Sequence, residues 1–241
     1  MAKRQLLLLS SSRVHGFDFL EYAAQDINDL LAKNNVSTVL FIPYALTNHD
    51  KYLQMVQQPF QKWGFKVESI HNLEEPVEAI QRSEAIFVGG GNTFRLLKAL
   101  YDNNLIQPIR NRVLKHGIPY ISASAGTNVA TRSINTTNDM PIVYPSSFEA
   151  LKLIPFNINP HYLDADLNSK HKGETRQQRI EEYLEEDDSS TVLGLREGGT
   201  LYVEGSNAFL KGISGARLFV KGKEPLEIQL NSDLSQLLKE D

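Results

Sequence analysis

The chain has 241 residues, of which 41% are hydrophobic and 22% charged, and its formal net charge is −4. This content is enough for a substantial core, and without a break in composition it predicts a single α/β domain over residues 1–241. The mild negative charge gives no electrostatic basis for binding nucleic acid or an anionic membrane. The absence of cysteine excludes disulfides, thiolate metal ligands and a cysteine nucleophile.

Apolar runs alternate with amphipathic segments through the first half of the chain. The predicted strands are residues 5–11, 36–44, 65–70, 85–88 and the segment from 119 that leads into Ser124. The predicted helices are residues 17–31, 52–63, 76–82, 94–101 and 105–116. The apolar run at residues 6–9 is too short for a signal-peptide core, so we expect a cytoplasmic protein with no membrane contact.

This alternation predicts a mostly parallel central sheet with helices on both faces, of the flavodoxin-like kind. Ligands of such sheets bind beyond the carboxyl ends of the strands. Three polar segments reach that edge, at residues 10–15, 89–93 and around Ser124. Their convergence favours a functional site there.

The second half is less regular. A strand at residues 151–158 is expected to deliver Asn159, Pro160 and His161. Thr175 and Gln178 have the spacing of a capping box, which predicts a helix starting near them. A strand at 191–195 then delivers Glu197, and residues 201–219 predict an antiparallel meander.

The segment PYISASAGTNVA, residues 119–130, predicts a strand, a tight turn and a helix. This is the layout of a nucleophile elbow, with Ser124 as the nucleophile. The elbow pattern is G-x-S-x-G, and here the first glycine is replaced by Ser122. The alternative is a small-residue connection with no chemical role.

The glycine triplet at residues 89–91 lies between a predicted strand and a predicted helix. Bare amides at such a junction suit an anion. A phosphate-binding loop is one interpretation, but the segment lacks the P-loop lysine and does not match G-x-G-x-x-G. A cradle for an oxyanion or a carboxylate is the other interpretation.

A serine nucleophile needs a base. Of the six histidines, only His161 combines a strand end, a rigid preceding proline and a late position in the chain. His161 also belongs to a polar group with Asp164, Asp166 and His171, which we expect to be solvated instead of binding a metal. We therefore expect neither a metal nor a cofactor.

Six segments resemble the peptidase E (alpha-aspartyl dipeptidase) family of serine peptidases. They are FVGGGNTFRLLKAL, PYISASAGTNVA, TTNDMPIVYP, FNINPH, HKGETRQQRI and VLGLREG, in family order. The resemblance implies a fold like that of the class I glutamine amidotransferases, with serine in place of the cysteine nucleophile. It implies a catalytic triad of Ser124, His161 and Glu197, and an oxyanion hole made by the backbone N–H groups of Gly91 and Ala125. Asp139 is the rival for the third position of the triad.

The resemblance also implies a small peptide substrate, a dipeptide that begins with aspartate and has a free amino group. Its side-chain carboxylate needs a cation, and Arg176 offers a planar guanidinium for it. Asp139 and Asn92 are candidates for contacting the substrate ammonium and peptide. Family members commonly carry a glycine and a large aromatic residue where this chain has Ser122 and Ala123.

Three alternatives stay open at this stage. One is a binding module that kept the pocket and lost the chemistry, as the altered elbow suggests. Another is a hydrolase of aspartyl bonds in cyanophycin, the activity of a related branch. The third is nucleotide binding at residues 89–91. We expect a monomer or a small homo-oligomer.

Overall fold

The computed structural model describes residues 3–166, 168, 170, 172–186 and 191–239. The strands within these residues are β1 (Gln5–Leu9), β2 (Thr38–Ile42), β3 (Lys66–Ser69), β4 (Ala85–Val88), β5 (Tyr120–Ala123), β6 (Asn157–Tyr162), β7 (Thr191–Arg196), β8 (Gly199–Glu204), β9 (Asn207–Gly212), β10 (Ala216–Val220) and β11 (Leu226–Ile228). The α-helices are α1 (Ala24–Lys33), α2 (His49–Lys62), α3 (Pro76–Arg82), α4 (Thr93–Asp102), α5 (Ile106–Arg110), α6 (Ala125–Ala130) and α7 (Arg176–Glu186). None of the described helices is both long and apolar enough to cross a membrane.

The larger sheet has the strand order β3-β2-β4-β5-β1-β8-β9. Its first five strands are parallel, and β8 and β9 add to them antiparallel. Successive side chains of a strand face opposite sides of a sheet. In β1, Leu7 and Leu9 pack with α1 and α2, whereas Leu6 and Leu8 join the core on the side of α4. The predicted α/β sheet with helices on both faces is confirmed.

The smaller sheet has the order β11-β10-β7-β6, in which only β6 and β7 are parallel. One face joins the large core, and Ile180 and Leu184 of α7 cover the other. The predicted meander is therefore divided between the sheets, because β8 pairs with β1 whereas β10 pairs with β7.

The predicted strand at residues 151–158 is wrong in its position. Residues 151–156 are irregular, and β6 begins only at Asn157. The N–H of Leu151 donates to the Val129 carbonyl at 2.8 Å, and that of Leu153 to the Ala130 carbonyl at 2.9 Å. These carbonyls end α6 and lack partners inside the helix, so the apolar run caps a helix instead of joining a sheet.

Other element boundaries also differ from the prediction. Helix α1 begins only at Ala24, whereas a helix from residue 17 was predicted. Helix α2 begins at His49 instead of at residue 52, and α5 continues as a π-helical turn over residues 111–115. The capping box is confirmed at the start of α7. The N–H of Thr175 donates to Gln178 Oε1 at 2.7 Å, and the N–H of Gln178 donates to Thr175 Oγ1 at 3.2 Å.

Candidate active site

Ser124 lies at the turn between β5 and α6. Its backbone has φ 55° and ψ −111°, a combination that side-chain-bearing residues rarely adopt. The N–H of Ser124 donates to the Leu9 carbonyl at 3.1 Å, and its own carbonyl accepts from Thr127 and Asn128. The unusual torsion is thus held from both sides, as is common for residues at functional sites.

The altered elbow keeps its tight turn, in which Ser122 bonds to Thr127 and packs closely against Gly126. Thr127 Oγ1 donates to the Leu9 carbonyl at 2.7 Å, so the Ser122 hydroxyl is the donor in its 3.0 Å contact with Thr127 Oγ1. A Cβ on Gly126 would lie 2.3 Å from the Val88 carbonyl oxygen and 3.1 Å from the Ser122 Cβ. A side chain at residue 126 would therefore clash with the Val88 backbone and crowd Ser122. Ala123 is fully buried in the core beside α2.

The structure brings Ser124, His161 and Glu197 into one hydrogen-bonded line. His161 Nε2 lies 2.9 Å from Ser124 Oγ, and His161 Nδ1 lies 2.7 Å from Glu197 Oε1. A carboxylate can only accept, so Nδ1 carries the hydrogen and Nε2 is free to accept the Ser124 proton. The side chains of His161 and Glu197 are 37% and 50% exposed, which leaves the line open to a ligand.

His161 lies inside β6, at a register shift between Pro160 and Tyr162, and has φ 52°. The irregularity breaks the alternation of the strand and redirects one side chain, as β-bulges do near active sites. Sequence reasoning placed His161 beyond the end of its strand. The bulge explains how it points at Ser124 from within the strand.

Glu197 directly follows a strand end that is fixed by ion pairs. The Arg196 guanidinium binds Asp164 at 2.8 and 3.0 Å and Glu227 at 2.6 and 2.9 Å. Glu227 and Asp164 raise the pKa of Arg196, and Arg196 lowers the pKa of Asp164. This arrangement could not be predicted from the sequence, because its two carboxylates come from distant segments of the chain. It fixes the end of β7 from which Glu197 extends.

Asp139 and Asn92 lie at the N-terminus of α4. Asp139 Oδ2 accepts from the Thr93 N–H at 2.7 Å, where the helix dipole favours a negative charge. Asn92 Oδ1 caps the helix by accepting from the Arg95 N–H, and its Nδ2 donates to the Met140 carbonyl. Glu197, and not Asp139, thus occupies the position at His161 Nδ1. A phosphate at this helix would meet the Asp139 charge, which disfavours nucleotide binding here.

The loop at residues 89–91 adjoins Ser124, since a Cβ on Gly90 would lie 3.1 Å from the Ser124 Cβ. The N–H groups of Gly91 in this loop and of Ala125 are the candidates for an oxyanion hole. Gly91 has φ 138°, and a Cβ there would lie 2.5 Å from the Ala45 carbonyl oxygen, so only glycine fits. The loop packs against the buried Tyr52, whose hydroxyl oxygen would lie 2.3 Å from a Cβ on the neighbouring Gly89. Within the described chain, neither the Gly91 N–H nor the Ala125 N–H at the start of α6 donates to a backbone carbonyl. Both are available to an oxyanion.

Arg176 begins α7 and forms part of the wall of a cavity of about 180 Å³. Its Nε is buried without a hydrogen-bond partner among the described residues, and burial, with a contribution from Arg179, lowers its pKa. The cavity is also lined by Thr136, Thr137, Asn138, Asp139 and Asn159. Asn159 Oδ1 is a buried acceptor that likewise lacks a partner in this part of the chain. Sequence reasoning missed Asn159, although it stands two residues before His161.

No cluster of histidine, aspartate and glutamate side chains suited to a metal ion occurs among the described residues. Asp164 binds Arg196, and Asp166 Oδ1 accepts from the Asn168 N–H at 2.9 Å. The fourth member of the polar group noted in the sequence, His171, lies outside the described residues.

A serine at a strand-to-helix turn above a parallel sheet, with an imidazole and a carboxylate in line, defines a serine hydrolase. The model of peptidase family S51 matches residues 6–211, and the chain belongs to this family. The predicted resemblance and the predicted enzyme class, a serine peptidase, are confirmed by this membership.

Two curated relatives match the chain over almost its whole length. A Drosophila melanogaster protein named "Probable alpha-aspartyl dipeptidase" is 54% identical over 236 residues, covering 98% of each chain. Peptidase E of Streptomyces coelicolor is 50% identical over 233 residues, covering 97% of this chain and 94% of the relative. A crystal structure of a peptidase from an acI-B1 Actinobacterium has a TM-score of 0.70 at 18% identity, covering 97% of both chains, and shares the fold.

Proposed function

We propose that the protein is a dipeptidase that hydrolyses dipeptides with a free N-terminal aspartate, using Ser124, His161 and Glu197. The observation that carries the proposal is the line of two hydrogen bonds, 2.7 Å from Glu197 to His161 and 2.9 Å from His161 to Ser124. The substrate class is supported by the relative named as an alpha-aspartyl dipeptidase. The intact hydrogen-bonded line favours an enzyme over a binding module.

Acylation begins when the Ser124 Oγ attacks the carbonyl carbon of the aspartyl residue. His161 Nε2 takes the hydroxyl proton as the C–O bond forms, and the carbonyl π electrons move onto oxygen. The N–H groups of Gly91 and Ala125 bind that oxyanion; losing one such donor typically costs about 3–4 kcal/mol of transition-state stabilisation. Glu197 stabilises the imidazolium through Nδ1–H.

Collapse of the tetrahedral intermediate completes acylation, and deacylation by water follows. His161 gives its proton to the leaving amine nitrogen as the C–N bond breaks, which leaves an aspartyl ester on Ser124. Water then gives a proton to His161 and attacks the ester, and Ser124 regains its proton as free aspartate leaves. All of these groups come from one chain, so a monomer is sufficient.

Specificity for aspartate is assigned to the cavity beside Arg176. The buried Arg176 Nε finds no hydrogen-bond partner among the described residues, which is costly, and a substrate carboxylate would supply an acceptor. Asp139 supplies negative charge in the same cavity and Asn159 supplies a buried acceptor, so both suit an ammonium group. Asn92 supports this site indirectly, by tying the loop of Met140 to α4.

A dipeptide panel tests the substrate class. Purified protein is incubated with Asp-Leu, Glu-Leu, Asn-Leu, Ala-Leu, N-acetyl-Asp-Leu and β-aspartyl-arginine, and the released amino acids are quantified by chromatography. We expect turnover only of Asp-Leu. Glu-Leu carries its side-chain carboxylate one methylene further out, and Asn-Leu and Ala-Leu have no such carboxylate. N-acetyl-Asp-Leu lacks the free α-amine, and β-aspartyl-arginine lacks the α-linkage. Equal turnover of the acetylated peptide would exclude an ammonium site. Turnover of β-aspartyl-arginine would contradict the specificity for the α-linkage, and cleavage of cyanophycin itself would indicate a cyanophycinase-like enzyme.

Replacing Arg176 by methionine is expected to lower kcat/KM for Asp-Leu by about 30–150-fold, the worth of one charge-assisted hydrogen bond of about 2–3 kcal/mol. The preference for Asp-Leu over Asn-Leu should shrink by a similar factor. Gln177→Ala is the matched control, because Gln177 follows Arg176 in α7 and its amide bonds to Glu181. An unchanged preference in Arg176→Met would refute the assigned role.

A further inference from the structure

We propose that Ser10 is a positioning residue that holds His161 and Glu197 in place relative to Ser124. The inference rests on the proposed triad and adds a residue that touches neither substrate nor reacting atoms. Ser10 directly follows β1 and is 0% exposed, so its hydroxyl is entirely committed to the protein.

The Ser10 hydroxyl joins the two strands of the smaller sheet that carry the base and the acid. Its Oγ accepts from the His161 N–H at 2.8 Å and donates to the Leu195 carbonyl at 2.7 Å. The Ser10 N–H donates to the Gly199 carbonyl at 3.0 Å. Leu195 and Gly199 lie two residues before and two residues after Glu197, so Ser10 fixes both sides of that turn.

The residue before Ser10 makes the corresponding contacts on the other side. The Leu9 carbonyl accepts from the Ser124 N–H at 3.1 Å and from Thr127 Oγ1 at 2.7 Å. Leu9 and Ser10, at the end of β1, therefore contact the turn of Ser124, the base His161 and the segment around Glu197.

Such a link is needed because the triad comes from two sheets. Ser124 follows a strand of the larger sheet, whereas His161 lies in β6 of the smaller sheet and Glu197 directly follows β7 of that sheet. His161 has φ 52° at a register shift, so its N–H depends on a partner outside the regular ladder. A displacement of about 1 Å at a catalytic group can lower a rate about 100-fold.

The test compares Ser10→Ala with Ser11→Ala. Ser11 is also buried, but its hydroxyl lies beside Tyr22 and bonds to no residue of the triad. For Ser10→Ala we expect kcat for Asp-Leu to fall about 10–100-fold with little change in KM, and Ser11→Ala to stay close to the wild type. Inactivation by a small fluorophosphonate, which needs an activated Ser124 but no aspartate pocket, should slow by a similar factor.

A Ser10→Ala enzyme that melts earlier yet reacts with the fluorophosphonate at the wild-type rate would overturn the proposal, because Ser10 would then be structural only. If Ser10→Ala does not fold, Ser10→Thr restores the hydroxyl and Ser10→Cys keeps the volume with weaker hydrogen bonds. Threonine should retain more of the inactivation rate than cysteine, and the reverse order would refute the role. If Ser124→Ala keeps full activity, the proposed triad fails. If Ser124→Ala is inactive but Ser10→Ala keeps the wild-type kinetics, the triad stands and only the role of Ser10 fails.

Discussion

Ser124→Ala is expected to lower kcat toward Asp-Leu by about 10⁴–10⁶-fold, the loss found when a serine peptidase is deprived of its nucleophile. The reason is that no other described hydroxyl lies at His161 Nε2, the position from which a proton can be removed. The melting temperature should change little, because the backbone contacts that hold the turn remain in the variant.

The measurement is stopped-flow or chromatographic turnover of Asp-Leu, with Ser11→Ala purified in parallel as the active control and a mock purification from cells without the protein as the control for host peptidases. The fluorophosphonate should add one adduct to the wild type by mass spectrometry and none to Ser124→Ala. Residual activity in the variant equal to that of Ser11→Ala would show that the attacking group is a different one.

Glu197→Gln is expected to lower kcat by about 10²–10⁴-fold, whereas Asp139→Asn should affect kcat far less. The amide NH₂ of glutamine can donate to His161 Nδ1, which favours the tautomer that cannot accept the Ser124 proton. Because Glu197 is half exposed, water can partly replace it, and the loss should be smaller than that of Ser124→Ala. Asparagine at position 139 still offers an oxygen to the Thr93 N–H.

Both variants are compared by steady-state kinetics with Asp-Leu, so that kcat and KM are separated. Asp139→Asn should raise KM if its charge contacts the substrate ammonium. A larger loss of kcat in Asp139→Asn than in Glu197→Gln would reverse the assignment of the third triad member, since both replacements remove one negative charge and keep the side-chain shape.

Much of the larger sheet could be predicted because its central parallel strands β1, β2, β4 and β5 are short, mostly apolar runs that are buried on both faces. Residues 85–88 and 76–82 were predicted with the observed boundaries of β4 and α3. The run at 151–156 misled the prediction because its partners are the last carbonyls of α6, and the sequence does not record that contact. The division of the meander also depends on pairing between distant strands.

The candidate site was predictable where short sequence motifs carry the catalytic residues, as in the elbow around Ser124 and the segment that ends in His161. The resemblance added Glu197, which spacing alone could not choose over Asp139. The role of Ser10 was not visible, because three adjacent serines follow the first strand and nothing local tells which one reaches the other sheet. The role of Asn159 was not visible either, because it depends on the cavity that Asn159 lines together with Arg176.

Because the triad comes from two sheets, the distance between His161 Nε2 and Ser124 Oγ depends on how those sheets pack against each other. Substitutions in the apolar layer between them, far from any substrate, can alter turnover without changing a single polar group. Substitutions in this layer can therefore give relatives with identical active-site residues different turnover numbers.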